Sequence, residues 1–335
     1  MKNMFSVLKK VALFSLPFVA ILAWYLIADP FLVLYNHDDY NKNFYIHKNL
    51  DFTTTEVYMK NSDEVDYNSF IFGGSTSLYT TPTDWKKHLE ADSEVFSFNA
   101  SGEHITGIWS KINYITTHGH QLKNALLVFD ADASFGRFVN DNPIFMKHFE
   151  VYPSSRLNFH YNYFLNFINV RFLVPLIHYS ITKEYYPYMS NTLQKEYYYY
   201  DPISNEYHNE GILEVLQTDS LGYYEERKGR FGVPKGPNFE VESGISPEFL
   251  KMLNDIKEVF EKNNTQYRIL ICPAYNQKSF NCEDLSKLQS IFGEQYIFDF
   301  SGMNEISEDK SNYYDEFHFK RYVGAGMMDK IYSNQ

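Results

Sequence analysis

Asn68-Ser69-Phe70-Ile71-Phe72-Gly73-Gly74-Ser75-Thr76-Ser77 is the stretch on which the reading of the fold turns. Residues 68–72 are a short run of apolar and aromatic side chains that stops at two glycines, which predicts a buried strand. The glycines permit a sharp turn, so the serine behind them stands at the strand's end. The same rhythm returns along the chain. Val95–Phe98, Ala125–Phe129, Arg268–Cys272 and Tyr296–Phe300 read as four more strands. Between them, Trp85–Ala91 predicts a short helix, and Ile105, Ile108, Trp109, Ile112 and Ile115 recur at helical spacing up to a stop at Gly119. Ser246-Pro247 has the form of an N-cap followed by proline, ahead of an apolar stripe at Phe249, Leu253, Ile256 and Phe260. Leu285, Leu288 and Phe292 mark another helix, and a last one runs from about Arg321 to Tyr332. This alternation predicts an α/β fold: a doubly wound, mostly parallel five-stranded sheet. Such sheets bind ligands beyond the carboxyl ends of their strands, so the residues of interest belong to the loops that follow them.

The 335 residues are 44% hydrophobic and 18% aromatic, which is ample core material and excludes disorder. A mean hydropathy of −0.40 with one long apolar run excludes a polytopic membrane protein. Two cysteines exclude a disulfide scaffold, and a net charge of −12 speaks against nucleic acid as a partner. The apolar run is Val11–Ala28, preceded by Lys2, Lys9 and Lys10 and followed by Asp29. Its length is near the lower limit for a bilayer span, and the flanking charge predicts a cytoplasmic amino end with the bulk of the chain outside. A cleaved signal peptide is the rival reading, although small residues at the usual spacing before a cut are hard to find. Cys272 and Cys282 would then lie in a compartment that permits a disulfide, and two free thiols fit equally.

The expected organisation is a cytoplasmic stub over residues 1–10, an anchor over 11–28, a linker over 29–64 and a catalytic domain over 65–335. The linker includes the polar cluster His37-Asp38-Asp39. The strand–helix rhythm breaks over about 135–243, too long for a plain loop, which predicts an insertion or cap over the sheet. Within it, Leu157–Ile177 is apolar but interrupted by Arg171 and Pro175, and is not expected to be a second span. Tyrosines crowd Tyr185-Tyr186-Pro187-Tyr188 and Tyr197–Tyr200, where they could stack on sugar rings, anchor at the membrane interface or serve as ordinary core and surface residues.

Three motifs carry chemistry. Ser75, behind Gly73-Gly74, has the setting of a nucleophile, with Ser77 as the fallback. Asn99-Ala100-Ser101-Gly102 follows the second strand, where a glycine N–H and the Asn99 amide could meet an oxyanion. Asp315-Glu316-Phe317-His318 offers a base and a carboxylate to orient it within one turn. Each motif alone also fits a capped turn or a chance match. Weaker candidates are Asp130 and Asp132 after the third strand, read also as a metal pair, and His118-Gly119-His120. Neither set is completed into a metal site by nearby ligands, and no cofactor is implied.

Together, in this order and context, the motifs resemble the SGNH (GDSL-type) hydrolase superfamily, from about Asn68 to the carboxyl end without the insertion. Gly73-Gly74-Ser75 stands where that family has Gly-Asp-Ser, Gly102 matches its second-block glycine, and Asp315 and His318 match its last block. The tail from Tyr314 to Gly324, and Ala28-Asp29-Pro30-Phe31 after the anchor, look like the membrane-anchored cell-envelope branch. That branch resembles the D-alanyl-transfer proteins of teichoic acid and the alginate O-acetylation proteins. The resemblance implies a flavodoxin-like SGNH fold and a catalytic set of Ser75, His318 and Asp315. It also implies an oxyanion hole from Ser75 and Gly102 with Asn99. The expected activity is extracytoplasmic acyl transfer to or from an envelope polysaccharide, with a membrane-bound O-acyltransferase-type protein as partner. A non-catalytic glycan-binding or scaffold subunit and a secreted carbohydrate esterase are the alternatives. One departure bears on the choice: the family's third block supplies an asparagine, and here the third strand leads into Asp130-Ala131-Asp132.

Overall fold

The computed structural model describes residues 2–136, 142–237 and 239–333. Parts of the expected stub and insertion (Met1, residues 137–141 and Asn238) lie outside the described residues. Helix α1, Lys2–Ala28, is long and apolar enough to cross a membrane, and nearly all of that span is exposed. It ends at Asp29, whose buried carboxylate accepts from the Val33 and Leu34 N–H groups and holds the His37 Nε2 at 2.8 Å. His37 therefore belongs to a folded junction.

The expected linker is also part of the fold. Helix α2, Leu50–Asn61, is capped by the Asn49 side chain, which accepts from the Phe52 N–H at 2.9 Å. Eight of its residues are buried, from Leu50 to Tyr58, so it lies under other structure on nearly every side. A helix covered all round shows no apolar stripe in its sequence, and Thr53-Thr54-Thr55 are β-branched, which is why the pattern hid it.

The sheet follows the predicted runs closely. Strand β1 is Ser69–Gly73, β2 is Val95–Asn99 and β3 is Asn124–Phe129, with α3 (Pro82–Lys86) and α4 (Ile105–Thr117) between them. Helix α5 (Arg156–Ile168) and α6 (Val170–Thr182) follow, bent by 63° at Asn169, so neither segment alone reaches across a bilayer. Then come a two-stranded hairpin, β4 (Tyr199–Tyr200) and β5 (Tyr207–His208), and helices α7 (Glu210–Thr218) and α8 (Ser220–Glu226). The chain returns through α9 (Pro247–Asn263), β6 (Gln266–Ile271), α10 (Cys282–Phe292), β7 (Ile297–Asp299) and α11 (Arg321–Tyr332). Ser246 caps α9 as predicted, accepting from the Phe249 N–H.

The five long strands form one sheet in the order β2-β1-β3-β6-β7, every neighbouring pair parallel. Alternation along each strand divides the core. Phe70 and Phe72 join Ile108, Ile112, Leu253, Ile256 and Tyr58 on one face. Ile71 joins Trp85, Val323, Met327 and Met328 on the other. A third cluster ties Tyr25 of α1 to Phe159, Phe167, Phe172 and Met189. The order reverses at β1, whose two neighbours are β2 and β3, so the crevice for a ligand opens at the carboxyl ends of these strands. Cys272 is buried and Cys282 exposed, and both are free thiols.

Candidate active site

Gly73 is required by close packing. A Cβ there would meet the Val128 carbonyl of β3 at 2.6 Å and the Ser77 Cβ at 2.9 Å. Beyond it the chain enters a tight 3-10 turn, Ser75–Tyr79, with Gly74 at its cap position. The first N–H groups of such a turn have no partner inside it. The Ser75 hydroxyl leaves this turn and meets the His318 Nε2 at 2.7 Å, across 243 residues of sequence. His318 Nδ1 lies 2.8 Å from each oxygen of Asp315. Asp315 is fixed in turn by the Phe317 and His318 N–H groups, each donating to Oδ1 at 3.0 Å. Both side chains keep 26% exposure, enough for a ligand to reach them.

The electrostatics suit proton transfer. Burial works against a charged His318, but Asp315, and with it Asp130, outweighs that and raises its pKa above the ordinary value. Burial pushes Asp315 the other way from its partners. The His318 charge and the hydrogen bonds from His318 and the Phe317 N–H prevail and keep it below the usual carboxylate range. Asp130 sits beside Gly74, one of its oxygens 2.9 Å from where a Cβ at Gly74 would be. Burial raises its pKa to about 6, against the opposing pull of Thr76 and His318. The Thr76 hydroxyl makes no hydrogen bond of good geometry there.

The remaining predicted residues separate into two groups. Gly102 has φ of +57°, the left-handed region that favours glycine, and its N–H has no hydrogen-bond partner among the described residues. Asn99 is fully buried at the end of β2 with its amide donating to the Ser97 hydroxyl at 2.9 Å. Its expected oxyanion contact is corrected on that ground. Ser77 is likewise buried, its hydroxyl donating to the Gly74 carbonyl at 2.7 Å, so it braces the turn and is no substitute nucleophile. Asp132 is paired with Lys278 at 2.6 Å.

Behind Gly102 lies a buried charge cluster that sequence reading missed. Glu103 bonds both Lys111 and Lys147, and each lysine also reaches Asp51 at 3.2 Å. Burial disfavours the two carboxylates, but Lys111 and Lys147 prevail and hold both below their ordinary range. The cluster ties α2, α4 and the chain before α5 to the loop that carries Gly102.

Ser75, Asp315 and His318 open into a cavity of about 300 Å³. Its walls come largely from segments expected to be linker or insertion, including His47, Lys48, Tyr185, Tyr198, Tyr200 and Arg227. The tyrosine-dense stretch thus contributes directly to the cavity. Comparison with models of known protein families finds none that matches, and comparison with curated proteins finds no match either.

Proposed function

We propose that the protein is a membrane-anchored serine acyltransferase of the SGNH type, acting outside the cytoplasm on an envelope polysaccharide. The observation that carries this reading is the line Ser75 Oγ to His318 Nε2 at 2.7 Å and His318 Nδ1 to Asp315 at 2.8 Å. It stands at the strand ends of a parallel sheet whose order fits the doubly wound, flavodoxin-like arrangement. The lysines ahead of α1 support a cytoplasmic amino end.

In this mechanism Ser75 attacks an acyl carbonyl while His318 Nε2 takes the hydroxyl proton. Asp315 holds the imidazole in the tautomer that accepts at Nε2 and stabilises the imidazolium. The N–H groups of Ser75 and Gly102 receive the oxyanion. His318 then gives its proton to the leaving group, and an acyl ester remains on Ser75. A sugar hydroxyl entering the tyrosine-walled cavity loses its proton to His318 and attacks the ester; as the acyl–Oγ bond breaks, His318 returns that proton to the Ser75 oxygen, and the acylated sugar leaves. Aromatic walls suit the apolar faces of sugar rings and limit water, which favours transfer over hydrolysis. A partner of the membrane-bound O-acyltransferase type would deliver the acyl group, with α1 available to hold the complex. Asp130 favours the second reading, a non-catalytic glycan-binding subunit, because above pH about 6 it is a carboxylate beside Gly74.

The test is acyl-enzyme trapping. The full chain in detergent is mixed with p-nitrophenyl acetate, quenched in acid and mapped by mass spectrometry. An acetyl ester on Ser75 is expected, absent in Ser75→Ala and formed about 10²–10⁴-fold more slowly in His318→Ala. Acetylation spread over other residues, or unchanged in His318→Ala, would exclude the mechanism.

A further inference from the structure

Helices α5 and α6 are apolar on both sides, and the protein covers only one. Phe159, Tyr163 and Phe167 of α5 and Phe172 and Leu176 of α6 are buried against the end of α1 and the chain that follows it. On the other side, Leu157, Tyr161 and Leu165 recur at four-residue spacing along α5 and are exposed, Leu157 at 84%. Val170, Val174, Ile177 and Ile181 share one exposed face of α6 in the same way, Val170 at 71% and Ile181 at 77%. A helix that is apolar all round belongs in a core or in lipid. The charges agree. From Arg156 to Thr182 the chain has no aspartate, glutamate or lysine, although it holds 42 acidic residues in all.

Depth places this surface. Trp24 of α1 packs on Phe167 with ring centroids 5.3 Å apart, and Tyr25 packs on Phe164 at 5.4 Å. These two rings, and Ile21 in the same cluster, stand three to seven residues before the end of α1. At 1.5 Å per residue that is roughly 5–10 Å below the outer end of the candidate span. A helix lying in a bilayer interface is buried about 5–10 Å deep. Helix α5 thus meets α1 at the depth where an interfacial helix rests, and tryptophan and tyrosine are the residues that favour that level. The 63° bend at Asn169, and a buried face held by the folded domain, suit a pair that lies along the surface rather than one that crosses.

We propose that α5 and α6 form a second membrane contact, seated in the headgroup and upper acyl region of the outer leaflet, with phospholipid as the occupant of their exposed face. This rests on the reading of α1 as a membrane span and not on the chemistry of Ser75. A spanning α1 brings a bilayer to this face with no further component, whereas a protein partner would have to be supplied. The seat also bears on the site. The Thr192 hydroxyl donates to the Arg171 carbonyl at 2.9 Å, and Tyr185, Ser190 and Leu193, beyond α6, line the Ser75 cavity. Seating the pair therefore fixes the height and orientation of that cavity over the leaflet.

The test measures depth, because α1 alone would keep any variant on the membrane. The full chain carries Cys282→Ser, which removes the exposed thiol and leaves the buried Cys272. Single cysteines replace Leu157, Val174, Ile181, Phe14 or Leu221, all exposed, and each takes a bimane label. The protein is reconstituted into vesicles of phosphatidylethanolamine and phosphatidylglycerol in equal parts, containing a lipid with its nitroxide either near the headgroup or near the chain end. Labels at Leu157, Val174 and Ile181 should be quenched by the headgroup-side nitroxide at least about threefold more than the label at Leu221 of α8, and more than by the chain-end nitroxide. The label at Phe14, in the middle of α1, should favour the chain-end nitroxide. Val170→Glu with Val174→Glu, both exposed positions, should melt like the parent in detergent and cut the quenching at Ile181 by about twofold or more. Quenching no stronger than at Leu221, stronger quenching from the chain end at all three sites, or quenching unmoved by the double variant would overturn the proposal. The first result would leave this face to a protein partner, and the second would make the pair a re-entrant insertion. Where Phe14 still reports a span, only the seat falls and the anchor stands; an unquenched Phe14 would remove the anchored reading with it.

Discussion

Gly324 couples the histidine-bearing end of the chain to the turn that carries Ser75, and replacing it with alanine is the most informative single methyl group that can be added. It lies in α11, which begins three residues after His318. A Cβ at Gly324 would stand 1.9 Å from the Tyr79 carbonyl oxygen and 2.8 Å from its carbon, and Tyr79 closes the turn that starts at Ser75. Ordinary contact needs about 3.2–3.5 Å, so helix and turn must separate by roughly 1.3–1.6 Å, and the obstacle is backbone rather than a side chain that can swing away. Overpacking of this kind costs about 1–3 kcal/mol. The separation also lengthens the Ser75–His318 hydrogen bond, and a misplacement of about 1 Å can slow a reaction about 10²-fold. Gly326, two residues on, is the control: nothing lies within 4 Å of its would-be Cβ. Alanine there should stabilise α11 by up to about 1 kcal/mol through helix propensity. Urea unfolding of the full chain reads the stability, and the rate of Ser75 acetylation reads the geometry. Gly324→Ala should lose both, and Gly326→Ala neither. A Gly324→Ala protein with the parent's midpoint and rate would refute the argument that this contact sets the Ser75–His318 distance.

Further outcomes follow from the same geometry. Acylation needs neutral His318, so its rate should rise with pH through a midpoint above the ordinary histidine value; stopped-flow release of p-nitrophenol measures it, and a rate flat below pH 7 would contradict the assigned base. Asp130→Asn removes a carboxylate that favours the imidazolium, so the same profile should move to lower pH, while an unmoved midpoint would separate Asp130 from His318. Lys111→Met leaves Glu103 and Asp51 short of a partner in the core and should cost about 3–5 kcal/mol in urea unfolding, a loss that a surface pair would not give. Ser77→Ala removes only a bond to the Gly74 carbonyl; it should cost about 1 kcal/mol and leave Ser75 reactive, and loss of acylation with an intact fold would reopen Ser77 as the nucleophile.

The sheet was legible because its strands are buried on both faces and bounded by turn residues. Each of the five apolar runs lies within a residue or two of its observed strand, and Ser246-Pro247 and Arg321 mark the observed helix starts. Ser75 was legible because it follows a strand whose end could be read, and Asp315 and His318 because a carboxylate and a histidine three residues apart stand just ahead of a readable helix start. What stayed hidden lacks any local period. Helix α2 is covered on almost every side, so its Thr-rich sequence has no polar face to betray it. The ring of Tyr198, the ammonium of Lys48 and the guanidinium of Arg227 converge from segments far apart in sequence, and spacing says nothing of such meetings. Asn99 misled because a polar residue after a strand reads as a donor to the site, whereas its amide turns back to Ser97. Lys48 and Lys111 look alike in sequence; only the structure distinguishes Lys111, with two carboxylate partners, from Lys48, with no ion pair among the described residues.

The central claim is that Ser75 is a nucleophile activated by His318. Treating the full chain in detergent with a fluorophosphonate probe and mapping the modified peptide tests it most directly. The account predicts a single modification at Ser75, lost in Ser75→Ala and in His318→Ala. Labelling at another residue, or a folded protein that leaves Ser75 unmodified, would contradict it.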